Sequence, residues 1–286
     1  MPRSSSRPSF TYASDEVGAV SRLVIRTVEA LTGQPKIRRL YERYTKRGRP
    51  AELFWEDAIE ALELTIRSNR VPADCLPRTG PVVIIANHPF GVIDGVILCW
   101  LAARVRADYK IMTHRVLHQA PEVRDHIIPV DFSGTRRALE SNVASRREAR
   151  DLLAAGGVLI VFPSGGVALS DGMRGAAIDL EWKTLTAGLV LGSAADVLPI
   201  FFCGQNSRLY QIAGNIRQTL KLSLLFHEVS NKIGKTIEIR VGDVIPNARL
   251  QAIGDRQQVI DFLRETTHGL GRPGSPTRAE RGGDGR

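Results

Sequence analysis

Apolar positions along this chain follow two rhythms. Near the N-terminus Val17, Val20, Val24, Val28 and Leu31 recur at helical spacing behind Ser14-Asp15-Glu16, a capping residue followed by acids. Gly33 stands where a helix C-cap belongs. Pro50 opens a further helix with Phe54, Ala58, Ala61, Leu62, Thr65 and Ile66 on one face, widened by Trp55 and Ile59. Pro72, Pro77 and Pro81 then interrupt the chain, and short apolar runs begin to alternate with longer helical stretches. Strands are predicted at Val82 to Ala86, Tyr109 to Thr113, Ile127 to Phe132, Val158 to Phe162, Val197 to Phe202 and Thr236 to Val241. Helices are predicted at 94–104, 135–155 (stopped by Gly156-Gly157), 174–194 and Asp255 to Thr266. This alternation predicts an α/β fold: a mixed, mostly parallel sheet flanked by helices, behind a helical N-terminal segment.

The same pattern sets the expected boundaries: a flexible lead-in (1–13), a basic helical segment (14–75), an α/β domain (76–268) and a Gly/Pro/Arg-rich tail expected to be disordered (269–286). A net charge of +9 favours an anionic partner. Lys36 to Arg49 carries seven bases against one acid, Glu42, which suits a solvated helix face or contact with anionic lipid headgroups. Tyr41 and Tyr44 fit either an interface or nucleic acid, but no nucleic-acid recognition motif occurs. The Ser- and Pro-rich start has no apolar core of a signal peptide, and no run is long enough to span a bilayer, so a surface-bound protein is expected if it meets a membrane at all. Cys75, Cys99 and Cys203 are too few and too scattered for a disulfide framework or zinc cluster.

Two segments carry candidate chemistry. In Ile84-Ile85-Ala86-Asn87-His88-Pro89-Phe90-Gly91-Val92-Ile93-Asp94-Gly95 a strand delivers Asn87 and His88 at its carboxyl end. Pro89 forces His88 to stay extended, Gly91 permits a tight or left-handed turn, and Asp94 sits ahead of the next helix. A carboxylate that orients an imidazole makes a general base; the plain alternative is a core histidine with Asp94 as a helix cap. In Val158-Leu159-Ile160-Val161-Phe162-Pro163-Ser164-Gly165-Gly166-Val167 a strand and a proline lead into glycines whose amides can approach an oxyanion or phosphate. An ordinary strand-to-helix turn would look the same.

Taken as a pair, Asn87-His88 with Asp94 and Phe162-Pro163-x-Gly165 resemble the glycerophosphate and lysophospholipid acyltransferase family, whose first motif is His-x4-Asp and third is Phe-Pro-Glu-Gly. Val197-Leu198-Pro199-Ile200 resembles that family's fourth motif. Asn-His-Pro-Phe-Gly with Asp94-Gly95, and Gly204-Gln205-Asn206-Ser207-Arg208-Leu209, resemble a hemolysin-like branch related to amino-acid-lipid acyltransferases.

The resemblance implies an acyltransferase-like α/β domain that moves a fatty acyl chain from a thioester, acyl-CoA or acyl-carrier protein, to the hydroxyl of a lysolipid (a lysophospholipid or lyso-amino-acid lipid). It implies His88 as general base and Asp94 as the group that fixes its tautomer and charge. Asn87, Ser164, Gly165 and Gly166 would contact substrate. Neither a bound cofactor nor a metal is implied, because a thioester is already activated. A peripheral position on the cytoplasmic face of the cytoplasmic membrane, against its anionic surface, completes the expectation, with no nucleic acid involved.

Three departures stand out. Five residues, not four, separate His88 from Asp94. Ser164 replaces the family's Glu, and Phe132 follows Val130-Asp131 where the second motif carries Arg. Arg136, with Arg137 beside it, is the nearest candidate for that anion contact. These departures favour a lysolipid less dependent on phosphate than lysophosphatidic acid.

Other constellations compete. Ser164 as a hydrolase nucleophile lacks the glycine two positions earlier that a nucleophile elbow needs, since Phe162 stands there. His114, His118 and His126 invite a metal reading, but Arg115 occupies the place of the Glu in His-Glu-x-x-His. A non-catalytic lipid-surface protein would use the basic segment equally well.

Overall fold

The computed structural model describes residue 11 and residues 19–114, 120–131, 135–170, 175–216, 221 and 223–272. The expected helix start at Ser14 to Glu16, and also Phe132, His118 and the tail beyond Arg272, lie outside the described residues. Helices α1 (Ala19–Leu31) and α2 (Gln34–Arg47) lead into a short 3-10 turn (Ala51–Leu53), α3 (Phe54–Ala61), strand β1 (Thr65–Ser68) and the one-turn helix α4 (Pro72–Cys75). Then come β2 (Val82–Ala86), α5 (Val92–Ala103), β3 (Tyr109–His114), β4 (Ile127–Val130), α6 (Arg136–Ala154) and β5 (Val158–Val161). The short pair β6 (Leu169–Ser170) and β7 (Ala177–Ile178) precedes α7 (Thr184–Leu191), β8 (Asp196–Cys203), α8 (Arg208–Ile216) and α9 (Leu225–Lys232). β9 (Thr236–Val241), α10 (Asn247–Ile253) and α11 (Arg256–Gly269) close the chain.

Seven strands form one sheet in the order β1-β9-β8-β2-β5-β3-β4. β2, β3, β4, β5 and β8 run parallel; β9 is antiparallel to β8 and carries β1 parallel to itself. All residues of β2 and β5 are buried, as central parallel strands covered on both faces must be. Alternate residues of β2 feed different cores. Val82, Ile84 and Ala86 pack with Trp55, Ile59, Ile93 and Ile97 under α3 and α5, whereas Val83 and Ile85 pack with Leu153, Leu189 and Leu263 under α6, α7 and α11. Each such burial contributes about 1.5–3 kcal/mol, so the centre of the sheet is the most firmly held place in the fold.

The mixed, mostly parallel sheet with flanking helices and a helical N-terminal segment is as the sequence predicts, and Thr135 caps α6 through Oγ1, which accepts the Ala138 N–H at 3.1 Å. Several local differences stand out. The helix expected to run through Ile66 stops at Ala61, because Glu63 takes a left-handed conformation (φ 51°). Leu64 N–H then bonds Ile59 O at 3.1 Å and Glu63 N–H bonds Glu60 O at 2.9 Å, a Schellman cap with glutamate in the usual glycine position. Thr65 and Ile66, read as a helix face, thereby enter β1. Gly33 is not a left-handed C-cap: its φ is −99°, and its lack of a side chain lets α9 approach, since a Cβ there would lie 2.0 Å from Phe226 O. Of the described residues of the helix expected at 174–194 only α7 is helical; Ala177–Ile178 pairs with β6, and residues 179–183 are irregular. Helices α8, α9 and α10 add to the elements that the sequence predicts.

Candidate active site

The register of β2 with β5 (Ile85 opposite Val161) and with β8 (Ala86 opposite Ile200) sets Asn87 and His88 between the carboxyl ends of both neighbours. That end of a parallel sheet is where such folds gather ligands. Asn87 faces β8: its Nδ2 donates to Phe202 O at 2.9 Å, and its Oδ1 accepts the Phe202 N–H at 2.7 Å. The side chain read as a substrate contact is therefore committed to the sheet, extending the β2–β8 ladder by one residue.

His88 and Asp94 meet. Nδ1 lies 3.0 Å from Asp94 Oδ2, which also accepts the Phe90 N–H at 2.9 Å and the Gly91 N–H at 3.0 Å. With two amides already pointing at Oδ2, the histidine must be the donor in the third bond, so its Nε2 carries the lone pair. The extra residue between the pair is absorbed at Gly91 (φ 80°, ψ −116°), a backbone state foreign to side-chain-bearing residues; a Cβ there would also press Leu225 and Val167 at 3.1 Å. Asp94 is the third residue of α5, so one carboxylate both caps the helix and orients the imidazole. Its side chain has no solvent exposure, and Oδ1 has no hydrogen-bond partner. Burial pushes its carboxyl above the ordinary carboxylate range, while the His88 bond and charge and the two amides pull it back.

Further residues complete the surroundings. Phe162, at the end of β5, stacks on the His88 ring at 3.9 Å and 22°. Asp179 accepts the His88 backbone N–H at 3.0 Å and the Trp182 indole N–H at 3.0 Å, and His268 Nε2 approaches the same carboxylate at 3.7 Å. Ala168 N–H donates to His88 O at 2.8 Å, so the histidine backbone is held from both sides. Lys221 donates to Val167 O at 2.8 Å, and burial pushes its ammonium down to about 8. Lys232 lies over the Phe90 ring, 4.4 Å from its centroid. Asp179, Lys221 and Lys232 lie far from His88 and Phe90 in sequence, and no local pattern announces them.

The second segment is only partly as expected. Ser164 is buried and donates to Gly166 O at 2.9 Å rather than to His88. Gly165 (φ 66°) spends its N–H on Phe162 O at 2.9 Å, which closes the turn. Gly166 N–H has no protein acceptor among the described residues, and a Cβ at Gly166 would meet Leu180 at 3.0 Å. Arg136 is not drawn in: its side chain is 94% exposed, paired with Glu140 at 3.3 Å, and it follows β4, three strands away from β2. The Arg137 side chain lies outside the described residues. His126 is a packing residue, stacked on Tyr109 at 4.3 Å with Nδ1 3.0 Å from Tyr109 O.

An apolar cavity of about 150 Å³ lies on the α5 side of the sheet, walled by Ile37 and Leu40 of α2, Trp55 of α3, Val92 and Val96 of α5, and Phe226 of α9. The basic residues of α2 face away from it and are exposed. Arg38 pairs with Glu42, Arg47 with Glu60, and Arg49 with the buried Asp57; Lys36, Arg39, Arg43 and Lys46 have no acidic partner among the described residues.

The family model described as Acyltransferase matches residues 43–273. The chain belongs to this family. It is similar to two proteins named lyso-glycine lipid O-acyltransferase. One, from Phocaeicola vulgatus, is 23% identical over 229 residues (76% of this chain, 77% of the relative). The other, from Bacteroides thetaiotaomicron, is 25% identical over 225 residues (76% and 79%). Among solved structures, the 1-acyl-sn-glycerophosphate (LPA) acyltransferase PlsC from Thermotoga maritima aligns over 77% of this chain and 76% of its own, with 16% identity and a TM-score of 0.49. This acyltransferase has no helix, among its described residues, that is long and apolar enough to cross a membrane.

Proposed function

We propose that this acyltransferase transfers a fatty acyl chain from acyl-CoA or acyl-carrier protein to the hydroxyl of a lysolipid whose headgroup is an amino acid. The observation that carries the chemistry is the His88 Nδ1 bond to Asp94 Oδ2, which leaves Nε2 as the base. The acceptor hydroxyl gives its proton to Nε2 as its oxygen attacks the thioester carbonyl. The tetrahedral intermediate collapses with loss of the C–S bond, and the imidazolium protonates the departing thiolate, so His88 ends as it began. Asp94 stabilises the imidazolium between these transfers, and Gly166 N–H is the amide available to the developing oxyanion.

Two features support the choice of substrates. The apolar cavity suits an acyl chain, being walled by aliphatic and aromatic side chains within reach of α5, the helix that carries Asp94. The named relatives act on a lyso-glycine lipid, and Ser164 and Phe132, in place of family Glu and Arg, fit an acceptor without a glycerol phosphate. The exposed bases of α2 would hold the protein on an anionic bilayer at the cytoplasmic face, each worth about 1 kcal/mol near the surface.

The test is thiol release from an acyl thioester with lyso-glycine lipid present or absent, in wild type and His88→Ala. Thiol release and a diacylated product that both depend on acceptor and on His88 are expected. Release of fatty acid regardless of acceptor, blocked by Ser164→Ala, would instead establish a hydrolase. For the membrane, sedimentation with phosphatidylglycerol vesicles is expected to fall with added salt; binding that ignores salt would remove the basic helix from the account.

A further inference from the structure

Lys232, the last residue of α9, belongs to neither motif, yet it reaches the turn that joins His88 to Asp94. Its Nζ lies 4.4 Å from the centroid of the Phe90 ring and donates to Gln205 O at 3.2 Å. Phe90 is 3% exposed and gives its backbone N–H to Asp94 Oδ2. Room for the ring comes from Gly204 (φ 117°), where a Cβ would stand 2.9 Å from Phe90 Cζ. Phe90 is thus seated between a glycine and a cation. The seat itself is braced: Glu228, one turn before Lys232, accepts the Ser207 N–H at 2.9 Å and the Ser207 hydroxyl, and Gln205 Oε1 accepts the Ala177 N–H at 2.8 Å.

We infer that Lys232 is a positioning residue for the His88–Asp94 pair: its ammonium fixes Phe90, whose N–H orders Asp94, and its charge favours the ionised carboxylate. It rests on the proposed acyl transfer only for what the pair accomplishes, not for the coupling itself. A partly buried ammonium over an aromatic face is attracted by the ring quadrupole, which helps offset its desolvation. Burial pushes Lys232 below its ordinary value, and the charges of Glu228 and Asp94 pull it back, with Lys235 adding a further downward push. Around Asp94 stand His88 from the end of β2 and the Phe90 and Gly91 amides of its own turn; around Lys232 stand Glu228 of α9, Asp94 and, just beyond the helix, Lys235. Losing the Lys232 charge makes both the imidazolium and the protonated carboxyl easier to form, so both protonations move to higher pH.

The experiment is an NMR titration of the His88 imidazole in wild type, Lys232→Gln and Lys232→Arg, with the resonance assigned by its loss in His88→Gln. Lys232→Gln is expected to raise the His88 midpoint, because a neighbouring positive charge is lost and the Phe90 seat loosens, and Lys232→Arg to restore it. In acyl transfer the acid limb of the kcat profile should move upward in the same variant with KM little changed. A His88 titration that is unchanged in folded Lys232→Gln overturns the inference, whatever the activity. A titration that moves as expected in a protein that transfers no acyl chain supports the inference and overturns the proposed function instead.

Discussion

Replacing Asp94 by asparagine separates the geometry of the pair from its charge. The asparagine oxygen can occupy the Oδ2 position and keep all three acceptor roles, toward His88, Phe90 and Gly91. The imidazole then keeps its tautomer and its place on Phe162. The new amide NH₂ falls where Oδ1 now sits, buried without a partner, at a cost of about 1–3 kcal/mol. Removal of a buried carboxylate works against that cost, so the variant should fold. What is lost is the attraction for the imidazolium. At about 4 Å and an effective dielectric constant near 20 this amounts to about 4 kcal/mol, or roughly a 10³-fold fall in kcat. Thiol release from acyl-CoA at saturating lysolipid measures it. A folded Asp94→Asn enzyme within tenfold of wild-type kcat would show that the carboxylate is only a helix cap. The same variant tests the burial of the charge. Because burial holds the folded carboxyl above its unfolded value, the folded state keeps its proton longer as pH rises. Wild-type stability from this group is thus greatest in acid and declines through the ordinary carboxylate range and beyond. Urea midpoints of wild type should fall relative to Asp94→Asn as pH rises from about 4 upward. A rise over that window would mean that the hydrogen bonds outweigh desolvation.

Two further outcomes follow from buried polar groups. Asn87→Ala orphans the Phe202 N–H and carbonyl in the sheet centre, and should cost about 2–4 kcal/mol in urea unfolding; an unchanged midpoint would deny the clip its structural role. Lys221 is pushed down to about 8 from 10.5, so the unfolded state holds its proton across that window and wild-type stability should rise with pH by up to about 3 kcal/mol. Lys221→Met should flatten the rise, and an equal rise in both proteins would refute the assignment.

What could be read from the sequence was whatever depends on near neighbours. β2, β5 and β8 announce themselves as unbroken apolar runs because both of their faces are covered. His88 and Asp94 were legible because a proline and a glycine between them fix the turn that brings them together. β1 was not: its four residues alternate between exposed and half-buried, and its strand partner is β9, far along the chain. The glutamate that ends α3 occupies a site where glycine is the usual sign. Asn87 sits beside the histidine in sequence and so reads as chemistry, but its partner is the main chain of β8. Asp179, Lys221 and Lys232 come to the site only through tertiary packing, which periodicity does not record.

The pairing of β1 with β9 has a consequence for how the chain is made. The N-terminal helices are joined to the sheet through β1, yet the strand that receives β1 emerges about 170 residues later, roughly 8–34 s at ordinary translation rates. Until then β1 lacks its native partner, and helices α2 and α3 must wait beside an incomplete core. A nascent chain arrested before Thr236 should therefore leave Thr65–Ser68 open to protease, and one extended beyond Val241 should protect it.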